Sequence, residues 1–182
     1  AMTEILPRDV VEFWRSAGRE RWFAANESFD ANVRQNLLDA HHAAARDEYA
    51  AWMDSAEGAL ALLLLLDQVP RNAFRGSAHA YATDGLARRY AQWALAAGYD
   101  QQVEPELRMF FYLPYEHAED PGLQREAVEL FSALGDADSL QWATQHEDII
   151  QRFGRFPHRN AALGRETTQD EQRFLDEGGF AG

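Results

Sequence analysis

Apolar residues recur along this chain at helical spacing, and almost nowhere at the alternating spacing of a strand. Pro7 suits a first helical turn. Val10, Val11, Trp14 and Ala17 follow on one face, and Gly18 supplies a stop. Ser28 is placed to cap a long helix carrying Val33, Leu37, Ala40 and Ala44, with a break near Arg46 before a continuation towards Trp52. Ser55 is placed to cap a helix containing Ala59 to Leu66, which is apolar on every side and therefore central and buried. Leu and Ala favour helix and β-branched residues are nearly absent there, so a strand is the weaker reading. Pro70 should end that helix.

Further helices are expected from Thr83 or Asp84 to Ala97, with Gly98 beyond it, and from Pro105 to Tyr112, stopped before Pro114. Asp120-Pro121 opens one that Gly135 closes, and Asp138 or Ser139 opens another that ends at Gly154. Thr168 with Glu171 reads as a capping box for a last helix. The spans are near 7–17, 29–51, 56–69, 83–97, 105–112, 121–134, 139–153 and 169–177. The fold class is therefore all-α: a single domain over residues 2–182 of about eight helices. Short connections should pack them antiparallel. Ala1 before Met2 is set aside as a remnant of a cleaved tag.

Composition narrows the chemistry. Asp+Glu number 30 against 17 basic residues, a net charge of −13, which disfavours general nucleic-acid binding. There is no Cys, so disulfides, thiolate metal sites and cysteine nucleophiles are excluded. All 17 basic residues are Arg, which excludes Schiff-base chemistry on Lys and a Walker-type phosphate loop. No apolar run approaches the ~20 residues of a membrane span, and no signal peptide precedes the first helix, so a cytoplasmic protein without a membrane partner is expected.

Three segments are too polar for their context. Residues 65–76 place Asp67 and Gln68 at the end of the most apolar helix, where a carboxylate opposes the helix dipole. A buried Asp67 there requires a partner, for which Arg71 and Arg75 are candidates. Residues 112–121 crowd Glu116, His117, Glu119 and Asp120 into a turn. His117 with Glu119 could serve as an acid–base pair or bind a metal, whereas Asp120 is most simply an N-cap. Residues 152–165 hold four Arg, with His158 and no acid, interleaved with Phe153 and Phe156. Arg forks bind carboxylates and phosphates bidentately. His146 is a weak addition to this group. His41 and His42 should point to different sides of their helix and be solvated. No His-Glu-x-x-His motif, Gly-x-Ser-x-Gly elbow or Gly-x-Gly-x-x-Gly loop occurs, and no metal site is expected.

These segments carry a resemblance. Val11-Glu12-Phe13-Trp14 with Trp22-Phe23, then 65–76, 112–120, 152–160 and 163–168, resemble the bacterial family catalogued as domain of unknown function 924. The likeness covers nearly the whole chain. It implies an all-α array of the tetratricopeptide-like superfamily and supplies no activity or cofactor. Ala118 stands where that family would be expected to have Ser, so a hydroxyl there is not essential in this chain.

Two functions follow as expectations. In the first, the helices present an Arg-lined pocket for an anionic small molecule or peptide, formed by Asp67, Arg71, Asn72, Arg155, Arg159 and Asn160. In the second, His117, Glu119 or His158, with His146 as a weaker candidate, performs acid–base or metal-assisted chemistry on an anion held by Arg155 and Arg159.

Overall fold

The computed structural model describes residues 4–182; Ala1, set aside above, and the first two residues of the expected 2–182 domain lie outside them. Among the described residues every regular element is helical: α1 (Pro7–Ala17), α2 (Arg19–Trp22), α3 (Glu27–Ala45), α4 (Ala56–Leu63), α5 (Val69–Ala73), α6 (Asp84–Ala96), α7 (Met109–Glu116), α8 (Pro121–Leu134), α9 (Ala137–Phe153), α10 (Asn160–Leu163) and α11 (Gln169–Asp176). Short 3-10 turns connect several of them, and a π-helical turn, Leu64–Gln68, joins α4 to α5. The chain folds as two compact units. Unit 1 comprises residues up to Arg75 and His79–Pro114; unit 2 comprises Gly76–Ala78 and Tyr115–Gly182.

Unit 1 is built around α4 and the π turn. Every residue from Gly58 to Gln68 is buried, as the uniformly apolar run requires. Helices α1 and α6 pack against α4, and α3 packs against α5 and the π turn. Ser55 caps α4 by accepting the Gly58 N–H. A side chain at Gly58 would sit 2.0 Å from the Trp52 carbonyl, so only glycine fits that crossing. Trp14, Trp22, Phe29 and Phe110 add an aromatic layer, with the Trp22 Nε1–H donated to the Trp14 carbonyl at 2.7 Å.

Several boundaries differ from the expectations; α7, for one, begins at Met109, because Pro105 opens a 3-10 turn and not the helix. Asn26, not Ser28, caps α3 by accepting the Phe29 N–H, so that helix begins two residues earlier. It ends at Ala45, and the break near Arg46 is completed by Asp47 in the left-handed region. Pro70 does not stop its helix: the chain widens into the π turn and continues to Ala73. Likewise α7 passes through Pro114 to Glu116. Each proline removes one backbone donor. Burial of Leu64–Val69 in the first case, and of Phe110, Phe111, Tyr112 and Tyr115 in the second, offsets that loss.

Unit 2 is a helical hairpin with a C-terminal clasp. Asp120 caps α8 by accepting the Leu123 N–H. Gly135, left-handed at φ 83°, turns the chain into α9, which packs along α8. Gly154 ends α9 in the same conformation. Ile149 and Ile150 of α9 form a core with Phe156, against which Phe153, Phe174 and Phe180 pack. The Thr168–Glu171 capping box starts α11 as expected.

Candidate functional site

In unit 1, the candidates of the first polar segment meet around the π turn. Asp67, 1% exposed, lies 3.6 Å from Arg71 and accepts from Gln68. Arg71 reaches past it to grip Asp84 with both amino groups, at 2.7 and 2.9 Å. Burial disfavours the Arg71 charge, but Asp84 and Asp67 outweigh it and hold the guanidinium charged. Asn72 donates to Asp30, which also takes two hydrogen bonds from Arg75. The partner that Asp67 required is thus Arg71. Asp30, unremarked in the sequence, and Asp84, read there only as a helix start, complete the network.

Backbone chemistry explains a second feature of this turn. The Val69 N–H bonds to the Leu64 carbonyl, the i+5 pattern of a π-helix. By that pattern the Leu65 carbonyl would face the amide nitrogen of Pro70, which carries no hydrogen. The Nδ1 of His41 takes its place at 2.7 Å. Thr83 Oγ1 donates to the Leu66 carbonyl at 2.6 Å in the same way, instead of capping α6. His41 is therefore fully buried, and the expectation of two solvated histidines on different sides fails. His41 and His42 rings stand 5.1 Å apart, and both meet His79 from the Ala78–Tyr81 turn. No sequence motif announces this group, because the third member joins from a different part of the chain.

Unit 2 gathers the candidates of the other two segments. Arg155 donates twice to Glu171, both at 2.7 Å, and once to the Glu166 carbonyl. The Arg155 hydrogen bond, with help from Thr168, pulls the Glu171 carboxyl down to about 2. Asn160 lies against the same carboxylate and accepts from Arg165. Arg165 in turn donates twice to Glu119, at 2.8 and 3.1 Å, and Glu119 also accepts the Phe156 N–H. Burial raises the Glu119 carboxyl, but Arg165, the Phe156 amide and Arg159 outweigh it and hold it below the ordinary range. Glu119 is thus an ionised acceptor that fastens the 156–165 turn to the end of α7.

Around Phe156 the remaining candidates converge. The Arg159 guanidinium lies 4.7 Å over the Phe156 ring and donates to the His117 carbonyl at 3.0 Å. His146 and His158 flank Phe156 at ring separations of 5.3 and 5.9 Å, and both also touch Phe180. His146 Nε2 lies 3.9 Å from the buried Glu116 carboxylate. Burial pushes His146 down to about 3, reinforced by His117, His158 and Arg159, so it is neutral near pH 7. The weak addition of the sequence reading thus sits at the centre of this group.

A profile of bacterial proteins of unknown function, the family of domain of unknown function 924, matches residues 10–179. The chain belongs to this family. A solved structure of a protein of unknown function from Agrobacterium tumefaciens is similar to it at 51% identity, with a TM-score of 0.92 over 94% of this chain and 97% of that one. The all-helical class is accordingly shared with this relative at close structural agreement. No curated protein matches the sequence. Among the described residues no helix is long and apolar enough to cross a membrane.

Proposed function

We propose that unit 2 of this family member binds a small organic anion at the group around Phe156. One observation carries this reading: two imidazoles and a guanidinium, from His146, His158 and Arg159, crowd an apolar floor of Phe156 and Phe180, and a third imidazole, His117, lies close enough to His146 to lower its pKa. Arg159 and His158 supply nitrogen donors for a carboxylate or phosphate, and neutral His146, whose one ring proton goes to the Trp142 carbonyl, joins Phe156 and Phe180 in offering ring faces for its carbon skeleton. Arg159 is the principal contact and His158 its neighbour. Arg155, Asn160, Arg165 and Glu119 are the frame, because their polar groups are directed at one another. Asp67, Arg71 and Asn72 form a separate frame in unit 1. The tetratricopeptide-like likeness agrees with binding rather than catalysis, since helical arrays of that kind serve as recognition surfaces.

Calorimetric titration with phosphate, sulfate and a panel of mono- and dicarboxylates tests the reading. Binding at millimolar affinity or better is expected for at least one of them, weakened at least fivefold by Arg159→Gln in a folded variant. Binding by none, or binding unchanged in that variant, would leave the group as part of the scaffold.

A further inference from the structure

The geometry points to a second site, in unit 1: His41, His42 and His79 form a three-histidine site for a divalent transition-metal ion of the zinc class. Each ring offers one nitrogen, and the three candidate nitrogens all lie within 4.8 Å of one another. The His41 and His79 Nε2 atoms are 3.0 Å apart. A tetrahedral ion with Zn–N bonds of ~2.0–2.1 Å holds its nitrogens about 3.3 Å apart, so small ring rotations close the site. Three imidazoles without a thiolate suit Zn2+, Co2+, Ni2+ or Cu2+ rather than Mg2+ or Ca2+, which prefer oxygen.

The tautomer of His41 strengthens the case. A carbonyl oxygen can only accept, so the 2.7 Å contact with Leu65 places the His41 proton on Nδ1. In the neutral ring the lone pair is then on Nε2, the atom that faces His79. A histidine ligand commonly has this support, one ring nitrogen donating to a backbone carbonyl while the other binds metal. Here the carbonyl is the one that Pro70 leaves without its π-helical donor, so the fold itself orients the ligand. Rigid elements hold the rest: His41 and His42 on α3, and His79 on a turn whose ring packs 4.0 Å from Phe74.

The burial pattern defines what the site would do. His41 is fully buried, whereas His42 and His79 are half-buried. Three protein ligands leave a fourth tetrahedral position on the accessible side for water or an anionic group. That is the coordination of an open metal centre, as distinct from a closed structural one. The net charge of −13 raises the local cation concentration and favours occupancy. The site shares no residue with the group around Phe156 and stands without it.

The test uses the tag-free full chain after chelator treatment. Calorimetry with ZnCl2, and visible absorption with CoCl2, should show one equivalent bound at micromolar affinity or better, with the bands of four-coordinate Co2+. His42→Gln and His79→Gln, both at half-buried rings, should each weaken binding at least tenfold. His146→Gln, in unit 2, should leave it unchanged. Circular dichroism at 20–25 °C establishes that the variants are folded. Absence of saturable binding by Zn2+, Co2+, Ni2+ and Cu2+ would overturn the proposal. So would metal affinity equal in wild type and the His42→Gln, His79→Gln double variant. A directly bonded His41–His79 pair whose 15N ring signals do not move on adding Zn2+ would identify a plain hydrogen bond and overturn it as well.

Discussion

His41 donates its Nδ1 proton to the Leu65 carbonyl, 24 residues away in sequence, at the point where Pro70 interrupts the backbone donors of the central helix. The buried ring therefore has a structural role before any ligand is considered. His41→Leu should destabilise unit 1 by about 1–3 kcal/mol, the cost of a buried carbonyl left without a donor. His41→Asn, whose amide can donate from a similar position, should recover part of that loss. Urea unfolding midpoints compare the two variants; equal midpoints would show that the hydrogen bond contributes nothing.

The core run offers a harsher probe. Leu63 and Leu64 are both wholly buried, in a helix without a polar face. Leu63→Asp or Leu64→Asp would bury a charge without a partner at a cost of several kcal/mol, comparable with the whole stability of a domain. Neither variant should give a cooperative thermal transition. Soluble, cooperatively melting forms of both would remove α4 from the centre of unit 1.

His146 makes stability depend on pH in a defined direction. Its folded-state value is about 3, below the ~6.5 of an unfolded histidine, so below the latter the unfolded chain binds a proton that the native chain does not. The contribution is fully present above about pH 6.5 and is lost as pH falls towards 3. Burial sets this value first, His117, His158 and Arg159 lower it further, and the Trp142 carbonyl opposes them; Glu116 lies 3.9 Å away. In this window His146 should cost up to about 1.4 kcal/mol per pH unit, and His146→Gln should flatten the slope by that amount. Unfolding free energies measured at about pH 7, 6 and 5 decide this; parallel slopes in wild type and variant would refute it.

Glu171 joins two jobs in one carboxylate, accepting the Thr168 N–H of its own helix cap and the fork of Arg155. Glu171→Gln removes the charge that holds Arg155 and should destabilise unit 2 by about 2 kcal/mol. The folded Glu171 value of about 2 lies below that of an unfolded Glu, so its contribution is present above about pH 4.5 and is lost as pH falls towards 2. The variant should lose less stability than wild type across that acid range. An equal acid response would assign the transition to other carboxylates.

Much of this fold was legible in the sequence because helices write their signals locally. Pro7, Ser55, Asp120-Pro121, Gly135, Gly154 and the Thr168–Glu171 box marked helix ends within a turn, since capping and left-handed turns depend on a few adjacent residues. The even apolarity of residues 59–66 likewise announced a buried helix. Only the tertiary structure decided whether Pro70 and Pro114 would end their helices, because burial of neighbouring side chains offset the lost backbone donors. It also decided the partners of the buried charges: Asp84 for Arg71, Glu171 for Arg155 and Glu119 for Arg165, separated by 13, 16 and 46 positions. The three-histidine group shows the same division. His41 and His42 are adjacent in sequence, but His79 reaches them only when the chain folds back, and the burial of His41 depends on a carbonyl that Pro70 leaves without its π-helical donor. Local propensity is additive along the chain and can be read from it; pairing across it is set by which surfaces pack, and that is decided in three dimensions.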